Sequence, residues 1–256
     1  MKNSTERHTF ILQSLKESGK VSIQELIYLM EVSGVTIRKD LKLLEDKNLL
    51  FRTRGGASID DLYANERTIH EKSLFHREQK IDIAKAALGL IGNHDSISIG
   101  SGTTVFELAR CLYPQKPLTI ITPALKIGLE LSNRPHVEVL QLSGLIRPNS
   151  SSVAGFYAER ILSDISCSMV FLGVDGIDLD FGFSITNLAE AALNQKMIDT
   201  AEKVVILADS SKFNKRGLGK ICGFDQVHYL VTDHLAPAQM VRRIEEKGVK
   251  VIVATA

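Results

Sequence analysis

Gly100-Ser101-Gly102-Thr103-Thr104 stands between an apolar run at 97–99 and a segment with helical periodicity from Val105. Its glycines let backbone N–H groups approach an oxyanion, its hydroxyls add donors, and a helix N-terminus adds partial positive charge, so the stretch suits a phosphate. A simpler reading stays open, in which Thr103 only caps the helix and the glycines make a tight turn. Asp175-Gly176-Ile177-Asp178 and Asp209-Ser210-Ser211-Lys212-Phe213 follow two further apolar runs, and the second puts a cation at a strand end. Glu190 joins these candidates, although Asn187 three residues earlier could make it half of a capping box. Lys196, farther along, reads as solvated surface. The third glycine of a dinucleotide fingerprint and the lysine of a Walker loop are both missing, so NAD and ATP are not expected. Cys111, Cys167 and Cys222 are widely spaced without a CxxC pair, so neither a metal site nor a disulfide framework is indicated and no cofactor is called for.

A second kind of chemistry is written into residues 21–56. Ser22 stands three residues before Glu25 and can open a short helix through a capping box, with Leu26, Leu29 and Met30 on its apolar face. Glu31-Val32-Ser33 makes a turn, and Ser33 is a good N-cap for a helix running to about Lys47. Ile37, Leu41 and Leu44 form one face of that helix and leave Thr36, Arg38, Lys39 and Lys42 on the others. Cations early in a short helix oppose its dipole, a local cost that makes sense if an anion waits there. Arginine can take guanine O6 and N7 bidentately, so the pattern suits a major-groove recognition helix. The following 49–56 stretch reads as a short hairpin whose alternation aims Arg52 and Arg54 the same way, a wing for a phosphate backbone. An earlier helix carries Phe10, Ile11 and Leu15 and ends at Gly19, a residue suited to a left-handed cap.

The elements that must position these residues divide into two groups. With 256 residues, 44% hydrophobic and 24% charged, two globular domains are the default. No apolar run is long enough for a membrane span and the first nine residues are polar, which leads us to expect a cytoplasmic protein. Residues 1–58 hold ten Lys/Arg against seven Asp/Glu and the remainder 21 against 23, a bias too small to argue nucleic-acid binding without the placement of the cations. Residues 59–79 read as a polar linker. From 80 to 256, apolar runs at 97–99, 118–121, 137–142, 169–174, 204–208, 229–231 and 249–253 alternate with helical patterns at 81–91, 105–112, 125–131, 188–201 and 238–247. That alternation predicts a mainly parallel, doubly wound α/β domain with ligands beyond the carboxyl ends of its strands.

Thr36-Ile37-Arg38-Lys39-Asp40-Leu41, Leu44-Glu45 and Arg54-Gly55-Gly56-Ala57 resemble the winged helix-turn-helix of DeoR-type bacterial repressors of sugar catabolism, and the likeness extends through the rest of the chain. It implies operator binding by an oligomer, a homodimer or homotetramer, with Thr36, Arg38 and Lys39 as base or phosphate contacts. Asp40 reads as structural, pairing with a nearby arginine. The resemblance also implies a second domain similar to the ribose-5-phosphate isomerase fold that binds a phosphorylated sugar or polyol. Ser101, Gly102, Thr103, Thr104, Asp175, Gly176, Glu190 and Lys212 are then the ligand contacts. The family commonly has aspartate at Gly100, asparagine at Pro123 and glycine at Ser143, positions expected at the same end of the sheet, and arginine where Lys72 stands in the linker. Lys80, followed by Ile83-Ala84, fits the family's lysine before the first helix of that domain. A repressor released by a sugar phosphate is the function these features imply. An isomerase using Glu190 or Asp175 as base, and an architectural DNA binder without a ligand, are the competing classes.

Overall fold

The computed structural model describes residues 3–46, 49–53, 55–58 and 68–255. The chain divides into two compact units, Met1–Tyr63 and Ala64–Ala256.

In the first unit α1 (Ser4–Ser18) ends on Gly19 at φ 73°, the left-handed turn its glycine permits. A three-residue strand, β1 (Lys20–Ser22), leads to α2 (Ile23–Met30), whose capping box between Ser22 and Glu25 forms as its spacing predicts. Next come α3 (Gly34–Asp46), β2 (Phe51–Thr53) and β3 (Gly56–Ser58), with the strands in the antiparallel order β1-β3-β2. Ile11, Leu15, Leu26, Met30, Ile37, Leu41 and Leu44 meet in one core. Leu29, expected on the same face, is instead 54% exposed: the core contacts of α2 run through Leu26 and Met30, i and i+4.

Gly56 pairs with Ser22 across β1 and β3. A Cβ there would overlap the Val21 carbonyl oxygen and stand 2.8 Å from Ser22 Cα. Gly56→Ala should therefore part the hairpin from β1 at a cost upwards of about 1 kcal/mol. A lowered unfolding midpoint in denaturant would register it, and an unchanged midpoint would show the close approach to be tolerated.

The second unit opens with α4 (Ile69–Ser73) and α5 (Arg77–Ile91), then β4 (Ser96–Ile99), α6 (Thr103–Cys111), β5 (Leu118–Thr122), α7 (Leu125–Leu131) and β6 (Val137–Gln141). A small hairpin, β7 (Leu145–Arg147) and β8 (Ser152–Ala154), precedes α8 (Phe156–Leu162) and β9 (Cys167–Gly173). There follow β10 (Gly176–Asp178), β11 (Gly182–Ile185), α9 (Leu188–Asp199), β12 (Ala201–Leu207), β13 (Gly219–Cys222), β14 (Tyr229–Asp233), α10 (Ala238–Glu246) and β15 (Lys250–Ala254). The segment read as a linker thus has helical structure from Ile69, and α5 begins before Lys80 rather than after it.

Seven strands form one parallel sheet in the order β15-β14-β12-β9-β4-β5-β6, and each coincides with one of the seven apolar runs. Alternate residues feed opposite faces, the period-two signature of a strand covered on both sides. Val170, Leu172, Val204 and Ile206 pack with residues of α8, α9 and α10, while Met169, Phe171, Val205 and Leu207 pack with residues of α5, α6 and α7. The chain starts in the middle at β4, runs outward to β6, then returns to β9 on the other side of β4. The strand order therefore reverses between β4 and β9, and the crevice beyond their carboxyl ends is where such a sheet takes a ligand.

Candidate functional site

A cleft enclosing about 650 Å³, its open mouth included, lies at that switch point. Ser101, Gly102, Thr103 and Thr104 line it from the loop after β4, and Gly173, Val174 and Asp175 from the loop after β9. Glu190, Asn194, Thr186 and Lys212 complete one wall, while Asn149 and Ser150 of the β7–β8 turn and Ile69 and Lys72 of α4 complete the other. Seven of the eight residues expected from sequence to contact the ligand thus face one space.

Gly176 does not. It lies in β10, where an added Cβ would stand 3.0 Å from Arg216 Cα and closer still to the Lys215 backbone, so its glycine serves the crossing of two backbones. Neither Gly100, Pro123 nor Ser143 lines the cleft. Gly100 is filled from behind, since a Cβ would come within 2.7 Å of a Leu172 methyl.

The helix after β4 starts at Thr103, and Gly102 at φ 139° takes the cap position without a side-chain bond. Capping by Thr103 is therefore not the arrangement: both threonines sit in the first turn, and no cap side chain occupies its amides. The capping box at Glu190 also fails to form. Asn187 accepts from the Ala189 and Glu190 amides, but the Glu190 carboxylate turns to Arg147 Nε at 2.9 Å and accepts from Ser152 Oγ at 3.4 Å. Lys196, expected at the surface, is half-buried.

Charge is distributed unevenly around this space. Asp175 accepts from Lys72 Nζ at 2.7 Å and from the Thr186 amide and hydroxyl, each at 3.2 Å. Burial works against its charge, but Lys72 and Lys212 outweigh it and hold the carboxyl below its ordinary range. Asp209 behaves alike: burial raises it, while Lys212, the Ser211 hydroxyl and Lys80 keep it ionised. Lys80 is itself buried in α5, donating to the carbonyls of Lys72 at 2.6 Å and Phe75 at 2.7 Å. Burial pushes its ammonium down to about 8; Asp209 opposes that, and Lys212 and Lys72 add to it. Among the described residues the Lys212 ammonium has no carboxylate within ion-pair distance. The cleft therefore offers Lys212, whose charge acts on Asp175 and Asp209 without a direct ion pair among the described residues, a second cation bonded to Asp175, and the first-turn amides of α6, a set that accepts an anionic oxygen cluster.

The first unit presents a different surface. Ser33 Oγ accepts from the Thr36 amide at 3.2 Å and caps α3 as expected. Arg38, Lys39 and Lys42 are exposed. A Cβ on Gly34 would lie 3.2 Å from Arg38 Nη1, so the arginine lies back along the first turn of its helix. Val35, 75% exposed beside Thr36, is an addition; its signal was an apolar residue off the Ile37, Leu41, Leu44 stripe. Asp40 is buried and takes Arg7 Nε at 2.6 Å and Nη2 at 3.0 Å, with His8 Nε2 at 3.2 Å, which ties α3 to α1. Arg52 is exposed on β2 with a loose ion pair to Glu45 at 3.7 Å, and Arg54 lies outside the described residues.

Residues 7–62 match the family model described as the DeoR-like helix-turn-helix domain, and residues 75–234 match the one described as the DeoR C terminal sensor domain. The chain belongs to the DeoR family. As a DeoR-family protein it combines a DNA-binding domain and a sensor domain in one transcription regulator. It is 36% identical over 252 residues, 98% of this chain and 94% of the other, to a candidate aga operon transcriptional repressor of Escherichia coli O157:H7. Over 246 residues, 96% of this chain and 95% of the other, it is 32% identical to the uncharacterized HTH-type transcriptional regulator YulB of Bacillus subtilis strain 168. Ribose 5 phosphate isomerase A from Neisseria gonorrhoeae is a looser structural likeness of this DeoR-family chain, with TM-score 0.39 and 19% identity over 54% of this chain and 53% of the other. A likeness that loose carries no functional argument.

Reasoning from residue types passed over several cleft residues, among them Asn149, Thr186 and Asn194, and the one of these that carries charge is Lys72. Its signal lay in the family's arginine at that position, but nothing in a polar stretch marked it as facing a pocket more than a hundred residues away in sequence.

Proposed function

We propose that this DeoR-family regulator represses a carbohydrate operon and leaves its operator when a phosphorylated sugar or polyol enters the cleft of the second unit. The observation that carries the reading is the Lys212 ammonium facing the glycine-capped first turn of α6 across one space. A phosphate would engage both, and Glu190, Asn194 and Thr186 would take sugar hydroxyls. The names of the relatives agree with this reading at the level of repression. Thr36, Arg38 and Lys39 would contact bases or phosphates, Lys42 and Arg52 the backbone, and the exposed Val35 a thymine methyl. One recognition helix spans few base pairs, so the regulator would act as a dimer or larger oligomer on repeated half-sites, in the cytoplasm with the DNA it controls. No helix among the described residues is long and apolar enough to cross a membrane.

The isomerase reading is not favoured, since both of its candidate bases are engaged: Asp175 by Lys72 and Thr186, Glu190 by Arg147. Calorimetry on the full chain tests the ligand half. Ribose 5-phosphate, fructose 6-phosphate, glucose 6-phosphate and glycerol 3-phosphate are each titrated beside the unphosphorylated parent. At least one phosphorylated member should bind and its parent should not, and Lys212→Met should weaken that binding by about tenfold, the order of one charge-assisted contact. Equal affinity for parent and phosphate would refute the phosphate site.

A further inference from the structure

The first element of the second unit, α4, is a short helix with three fastenings among the described residues, two of them made by residues that line the cleft. At its start the Ile69 amide donates to the Asn149 carbonyl at 2.6 Å, in the β7–β8 turn. On its cleft side Lys72 Nζ donates to Asp175 Oδ1 at 2.7 Å. At its end the buried Lys80 ammonium donates to the carbonyls of Lys72 and Phe75. Thr68 and Glu71 close a capping box at its beginning. Two of these fastenings are uncharged or internal to the α4–α5 corner. The third is an ion pair whose cation and anion both face the ligand space.

An anionic ligand must act on that pair more than on the other two. It repels the Asp175 carboxylate and offers Lys72 a second acceptor, while Lys212, which has no direct ion pair among the described residues, draws it in. In sequence, α4 is the element of the second unit that stands nearest to β3, the last strand of the first unit.

We propose that α4 is the sensing strap of this regulator, and that effector binding exchanges the Lys72–Asp175 ion pair for a bond between Lys72 and the effector's anionic group, releasing α4 and lowering operator affinity. The inference rests on the cleft being the effector site, but its test needs no effector. If the strapped form is the one that holds DNA, cutting the strap reproduces this one part of induction without a ligand.

The test compares the full-length wild type with Lys72→Met, Asp175→Asn and Lys72→Arg, in titrations of fluorescent DNA from upstream of its own coding region without any sugar present. Lys72→Met and Asp175→Asn should bind about tenfold more weakly, within the range typical of coupling between sites, and Lys72→Arg, which restores the ion pair, should bind like the wild type. Hydrogen exchange is read on the same samples. Amides of residues 69–76 should exchange faster in Lys72→Met and at the wild-type rate in Lys72→Arg, while the sheet strands keep their protection in all forms. Unchanged or tighter operator binding by Lys72→Met would overturn the strap, as would a Lys72→Arg variant as weak as Lys72→Met. Failure of every phosphosugar in calorimetry would instead strike the effector reading and leave these measurements standing.

Discussion

On the proposed reading, replacing Arg38 by alanine should lower operator affinity by about 2–6 kcal/mol for a two-fold complex, because a base-contacting arginine contributes on the order of 1–3 kcal/mol at each half-site. Adding Lys39→Ala weakens binding further and flattens its dependence on salt, by roughly one unit of slope for each phosphate contact removed. Both side chains are exposed and neither contributes to the core of Ile37, Leu41 and Leu44, so the helical circular dichroism should stay that of the wild type. Anisotropy titrations at several salt concentrations separate the two effects. A variant that folds normally and binds its operator at wild-type affinity would remove α3 from the groove.

Asp40→Ala has the opposite character, damaging the fold before the interface. Asp40 belongs to the same helix but points inward, 3% exposed, and fixes α3 to α1 through Arg7 and His8. Removing it takes a buried carboxylate away from Arg7, whose side chain is only 14% exposed, so the loss should fall between the limits for surface and buried pairs, roughly 2–4 kcal/mol. The sign of the pH dependence follows from the carboxyl. Burial raises its titration point, but the bonds from Arg7 and His8 outweigh burial and hold it below the ordinary 3.8. Its stabilisation is therefore complete above that value and disappears as pH falls through the lower folded one. Thermal unfolding followed between pH 7 and pH 2 should show the wild type losing this increment in acid, and Asp40→Asn should lack that part of the slope. An unaltered midpoint at pH 7 in Asp40→Ala would mean that the triad is decoration.

What could be read from residues alone follows the physics of each element. The central strands of the parallel sheet were legible because burial on both faces demands continuous apolar runs, as at Val204, Val205, Ile206 and Leu207, and the less buried edge strands β6 and β15 because valine, leucine and isoleucine still recur in them. The strands β7, β8, β10, β11 and β13 were not, since each is only three or four residues long and none sits in the regular alternation of apolar runs with helical patterns that marked β4. The helix α8 escaped because Phe156 and Tyr157 are exposed at its start and blur its apolar stripe. For α4 the one signal was the spacing of Thr68 and Glu71, a capping box inside a polar stretch.

Site residues divide in the same way. The loop after β4 was legible because glycine and hydroxyl residues stand there before a helix, and the loop after β9 because Asp175-Gly176 follows an apolar run; the strand order then brings the two together. Local pattern misled at Glu190, where Asn187 three residues before it satisfies a cap by itself and Arg147, far off in sequence, takes the carboxylate. Lys72 shows the limit most plainly: its partner Asp175 is joined to it only by the fold.

The most direct measurement is one titration performed twice. Full-length protein is added to fluorescent DNA from upstream of its own coding region, first alone and then with each of the four sugar and polyol phosphates in turn. Reversing the population from 1:99 to 99:1 requires about 5.5 kcal/mol of differential binding, so an effective inducer should move the midpoint by orders of magnitude. The expected result is tight binding that one phosphorylated compound abolishes and its unphosphorylated parent leaves intact. Binding no tighter than to random DNA, or a midpoint that no phosphorylated compound moves, would contradict a DNA reader governed by an anion-holding cleft.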